Sequence, residues 1–201
     1  MIVALNNIAA VQEKPTQTTI KKCNCLMDFA ATYPDMKLQY FARNIILHAN
    51  SDTAYLIQSD TCSWIIGYYI LSKYPNPAPP IPKPVLNVPI LVECKTVQTV
   101  IASTAKVETG GLFHNGQTII HIWHLLHALG HSQPPTPLKT DNSTSNAFIN
   151  NSFWQKKSKS WDIKFHWLQD KEQQQHLQVF WDRGHLNRAN YFTKHHPAPD
   201  H

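Results

Sequence analysis

Glycine and acid are both scarce in this chain. Its 201 residues carry 6 Gly against 14 Pro, and 13 Asp and Glu against 18 Lys and Arg. So many prolines beside so few glycines imply stiff connections rather than floppy ones. A hydrophobic share of 42% with 15% charged residues describes an ordinary globular protein and excludes a disordered one. The four cysteines, Cys23, Cys25, Cys62 and Cys94, form no C-x-x-C pair, which excludes a zinc framework and a dense disulfide scaffold. Long apolar runs are missing too. The opening MIVALNNIAAV has neither the basic start nor the apolar length of a signal peptide or membrane span. We therefore expect a soluble intracellular chain, cytoplasmic or nuclear and not secreted, with reduced thiols and no membrane partner.

What is present points toward an anionic partner. The net charge is +5, and 12 His add to it below neutral pH. The length fits one domain with an appendage. Ile20, Cys23, Leu26, Met27 and Ala30 recur at helical spacing within 16–33, so a helix is predicted there, stopping before Pro34. Strand-length pieces follow at 36–42, 44–52 and 64–72, and PILVEC at 89–94 reads as a further strand. Between them, the proline-rich stretch 75–89 reads as a stiff connector or, alternatively, a PxxP ligand. A long helix is predicted over 103–129, apolar on most of its circumference and ended by Gly130. TPLKTD is the next strand, STSNAFIN a short helix, SWDIKFHWLQDKEQQQ a longer one and LQVFW (177–181) a last strand, with a short helical segment near 186–193. This order predicts an α/β fold with a mixed sheet, the arrangement of ribonuclease H.

Such a fold gathers acids where strand ends meet a helix. Asp52, Glu108 and Asp141 fall at those points. Each has a plain alternative: Asp52 as a turn residue, Glu108 as favourable charge near a helix N-terminus, Asp141 as a helix cap. Together they suit phosphodiester hydrolysis with two Mg²⁺ ions about 4 Å apart, because hard oxygen donors are what Mg²⁺ takes. Lys156, Lys157 and Lys159, beside Trp154 and Trp161, fit a nucleic-acid contact or a solvated helix start over core tryptophans.

Several stretches in order, NSDTAYL, STAKVETGGLFHNGQT, TPLKTDNST, QKKSKSWDIKFHWLQDK and ANYFTKHH, resemble the C-terminal reverse transcriptase connection and ribonuclease H region of copia-type retrotransposon polyproteins. The resemblance implies a ribonuclease H-like domain over 43–201, with a five-stranded mixed sheet flanked by helices. It implies that 1–42 is a helical polymerase–nuclease connection remnant. It further implies cleavage of the RNA strand of RNA/DNA hybrids with two Mg²⁺ or Mn²⁺ ions, in a chain once part of a polyprotein with polymerase and integrase. Of the family's four acidic ligands, Asp52, Glu108 and Asp141 match three, and Asn190 stands at the fourth. Asparagine can offer a carbonyl oxygen but removes one negative charge, which implies weakened metal binding and reduced turnover. An inactive remnant that keeps the fold and binds nucleic acid is the alternative. His185 matches a histidine that assists product release in some ribonucleases H; otherwise it is one exposed His among 12. No Tyr-x-Asp-Asp polymerase motif, aspartic-protease motif or zinc knuckle is found, so the chain reads as a C-terminal fragment or stand-alone remnant.

Overall fold

The computed structural model describes residues 2–41, 44–54, 63–72, 87–97, 104–143 and 159–192. The chain divides into two compact units, Met1–Tyr40 and Phe41–His201. The first contains α1 (Ile2–Ala9) and α2 (Gln17–Thr32). Thr16 caps α2 reciprocally: its hydroxyl accepts from Thr19 N at 3.3 Å, and the Thr19 hydroxyl accepts from Thr16 N at 3.2 Å. The helix closes with Tyr33 N donating to Phe29 O, just before Pro34.

The strand expected over 36–42 does not form among its described residues, 36–41. Residues 36–41 have no regular structure, and Met36, Leu38, Tyr40 and Phe41 are all more than half exposed. Alternation makes a strand only where one face can be buried. Phe41 instead directs its N–H and C=O to the side-chain amide of Asn87, at 3.0 and 2.7 Å.

The second unit is built on a five-stranded sheet in the order β3-β2-β1-β4-β5. The strands are β1 (Ile46–Ala54), β2 (Ser63–Ser72), β3 (Pro89–Val97), β4 (Thr136–Thr140) and β5 (Leu177–Trp181). β1, β2 and β3 form an antiparallel meander, while β4 and β5 join β1 in parallel, so the sheet is mixed as the element order implied. Parallel strands need crossovers, and helices α3 (Thr104–Ala128) and α4 (Lys159–Gln173) lie on those two connections.

α3 buries the stripe Leu112, Asn115, Ile119 and Leu126 against Leu47, Ala49, Tyr69 and Leu138, with Leu168 of α4 and Leu177 and Val179 of β5 completing the core. Its close approach to β1 depends on Gly111, where an added Cβ would lie 2.6 Å from Thr53 Cγ2. The helix is less buried than its apolar sequence suggested: Leu125 is 59% exposed beside the buried Leu126, and Leu129, just past the helix, is 65% exposed. Gly130 then takes φ +88°, the left-handed cap expected of it.

Candidate metal centre

Strand register explains how two distant aspartates meet. β1 and β4 pair in parallel at Ala49↔Leu138 and Asn50↔Lys139. Carried two residues further, that register sets Asp52 level with Asp141, the first residue beyond β4. Glu108 arrives from above. Asn115 Nδ2 donates to Ser51 Oγ at 2.8 Å and Gly111 sits on Thr53, so α3 runs antiparallel to β1 with its N-terminal turns over the strand's end. One turn before Gly111, the Glu108 side chain reaches the aspartates.

Carboxylate oxygens of Asp52, Glu108 and Asp141 all lie within 4.8 Å of one another. Asp52 and Glu108 are only 4% and 6% exposed, and Asp141 is half-buried. Burial pushes the Glu108 carboxyl up to about 8; the Thr53 hydroxyl opposes this, and the negative charges of Asp52 and Asp141 add to it. Thr53 Oγ1 and Glu108 Oε2 are nonetheless both buried without a hydrogen-bond partner. The charges that act most on Glu108 are those of Asp52 and Asp141, both negative.

A buried carboxylate oxygen without a donor, facing two further carboxylates, is costly unless a cation or proton offsets it. The donor set is all hard oxygen, which suits Mg²⁺, Mn²⁺ or Ca²⁺ and not a soft metal. The arrangement can thus hold a divalent ion.

The fourth matched position is also at this site. Asn190 lies on a short 3-10 turn (Arg188–Phe192) that follows another (Gly184–Leu186). A Cβ built on Gly184 would stand 3.0 Å from Asp141 Oδ2 and 3.8 Å from Asn190 Nδ2, so both side chains flank the same point. His185 is exposed, next to that point and outside the three-carboxylate cluster. Lys156 and Lys157, the side chain of Lys159, residues 75–86 of the proline-rich stretch and 144–150 of the expected short helix lie outside the described residues.

Sequence reasoning missed Asn187. It is 3% exposed, donates from Nδ2 to Ser51 O at 2.8 Å and accepts from Ala189 N at 3.1 Å, fastening the loop beside the acids to β1. An amide within a polar segment carries no periodic signal, so only the long-range contact reveals it. Phe192 adds to the attachment by stacking on Tyr68, with ring centroids 5.8 Å apart. Among the described residues no helix is long and apolar enough to cross a membrane.

No protein-family model matches the sequence, and no curated protein matches it. Solved structures do resemble the fold. The N-terminal ribonuclease H domain from Mycobacterium tuberculosis, solved as a fusion with maltose-binding protein, aligns with a TM-score of 0.50 at 9% identity, covering 74% of this chain and 94% of that one. A ribonuclease H1 isolated from compost by a metagenomic approach aligns at 0.49 and 9% identity, covering 73% and 91%. The prototype foamy virus protease–reverse transcriptase aligns at 0.43 and 9% identity, covering 79% of this chain and 21% of that one. At such identities the likeness establishes the fold: this chain has a ribonuclease H-like mixed five-stranded sheet flanked by helices.

Proposed function

We propose that the chain is a ribonuclease H-type nuclease domain of copia-type retrotransposon origin, hydrolysing the RNA strand of RNA/DNA hybrids with two Mg²⁺ or Mn²⁺ ions. The observation that carries this reading is the convergence of Asp52, Glu108 and Asp141 within 4.8 Å at the strand ends of a ribonuclease H-like sheet. A divalent ion bound there would supply positive charge to offset an attacking hydroxide and a leaving 3′ oxygen. The three carboxylates would hold it, with Glu108 ionised in the bound state and its proton released to solvent. Asn190 occupies the fourth ligand position without its charge, which weakens metal binding and slows turnover. His185, exposed beside the cluster, helps release the product, as a histidine does in some ribonucleases H. Lys156, Lys157 and Lys159 neutralise phosphates of the hybrid, whose 2′ hydroxyls and groove shape distinguish it from duplex DNA. In this reading residues 1–42 are the remnant of a polymerase–nuclease connection.

The test is cleavage of a labelled RNA/DNA hybrid with Mg²⁺ or Mn²⁺. We expect slow, metal-dependent cleavage that Asp141→Asn abolishes. Cleavage that survives Asp141→Asn contradicts the site. A wild type that binds the hybrid but never cuts it favours the second reading, an inactive remnant, which the missing charge at Asn190 supports.

A further inference from the structure

The loop that walls the acid cluster is tied by two asparagines. Gly184 packs against Asp141 Oδ2, and the Gly184 carbonyl accepts two hydrogen bonds, from Asn187 N at 3.2 Å and from Asn190 Nδ2 at 3.0 Å. Asn187 in turn anchors to the Ser51 carbonyl of β1, and Asn190 N donates to Asn187 O at 3.1 Å. The amide orientation at Asn190 is fixed by chemistry. Reversed, it would set Oδ1 against the Gly184 carbonyl oxygen, two acceptors facing each other.

We infer that Asn190 is a positioning residue that locks the Gly184–Asn190 loop against Asp141 through its amide nitrogen, a role that aspartate cannot fill. The inference rests on the reading of the acid cluster as a metal site for its consequence, though not for its geometry. An ionised aspartate in its place would face the Gly184 carbonyl with an acceptor and add a fourth negative charge beside Asp141. Restoring the matched acid therefore releases the loop unless a cation draws it back.

The test follows tryptic cleavage of the Arg183–Gly184 bond in the folded chain, since Arg183 is exposed and cleavage there reports opening of the loop. Without metal, Asn190→Ala and Asn190→Asp are expected to be cut about five-fold faster than wild type, the factor that one lost hydrogen bond supplies. Asn190→Ser, which keeps a donor, recovers part of the protection. A role in merely filling space would leave the isosteric Asn190→Asp variant cut at the wild-type rate. Titrated Mn²⁺ is expected to slow cutting of Asn190→Asp and not of Asn190→Ala. Wild-type cutting rates in Asn190→Ala overturn the lock. So does Asn190→Asp cut at the wild-type rate without metal. If wild type binds no Mn²⁺ at all, the metal-site reading fails while the metal-free cutting rates still decide the lock.

Discussion

Two buried polar clusters hang from α3, about two turns apart, and they follow opposite rules. At Asn115, fully buried, every polar atom is answered: Nδ2 donates to Ser51 Oγ and to Ile66 O at 2.8 and 2.9 Å, and Oδ1 lies 3.1 Å from the Tyr69 hydroxyl. That hydroxyl is also 3.2 Å from Glu93 Oε2, to which Thr118 donates at 3.0 Å, while Lys95 pairs with Glu93 Oε1 at 3.0 Å. At Glu108 the opposite holds. One buried oxygen has no partner, and the neighbouring charges repel. A satisfied network fixes helix to sheet, whereas an unsatisfied group of like charges keeps a place for something that is not protein.

The largest effect that separates the two clusters is on folding. Asn115→Leu leaves Ser51 Oγ and the Ile66 carbonyl without their buried donor, and we expect a loss of about 3 kcal/mol in urea unfolding. Asp52→Asn should do the reverse: cation affinity, followed by Mn²⁺ titration, falls at least about 100-fold, while metal-free stability holds or rises.

Acid titration sharpens the contrast further. The folded pKa of Glu108, about 8, lies above its ordinary 4.5, so between those values the folded chain holds a proton that the unfolded chain has lost. Stability contributed by that proton is present below about pH 4.5 and lost as pH rises through 8. In EDTA, the urea midpoint of wild type should fall from pH 5 to pH 8, and that of Glu108→Gln should fall less. Added Mg²⁺ should flatten the wild-type profile, because the ion offsets the charge. A profile unchanged by either the substitution or the ion would remove the electrostatic argument.

The smallest effect is expected away from both clusters. Lys139 and Asp182 pair at 2.8 Å, with each side chain about a fifth exposed. Lys139→Met should change stability by less than about 1 kcal/mol, since solvent screens such pairs.

The difference between the clusters also explains what the sequence could reveal. Asp52 and Asp141 were legible because strand boundaries and parallel order fix which residues end side by side. Glu108 was legible as an acid in the first turns of the long helix, and α2, α3 and β5 followed from spacing and from Pro34 and Gly130. The 36–42 strand was misread because alternation does not say whether a second face exists to bury it. Asn115 was hidden for a related reason. Within FHNGQTIIHI its neighbours promise only an apolar helix, and its three partners lie 46 to 64 residues away. Gly67 was hidden likewise: the space it leaves, where a Cβ would stand 2.7 Å from Asn115 Oδ1, exists only once helix and sheet are packed. Chemistry that rests on charge at element ends shows in sequence, and chemistry that rests on packed partners does not.

The most direct measurement is calorimetric titration of Mn²⁺ into wild type, Asp141→Asn and Asn115→Ser, each checked for native folding. The account predicts binding in wild type, near-complete loss in Asp141→Asn and little change in Asn115→Ser. Equal binding in wild type and Asp141→Asn would show that the three carboxylates are not where the cation goes.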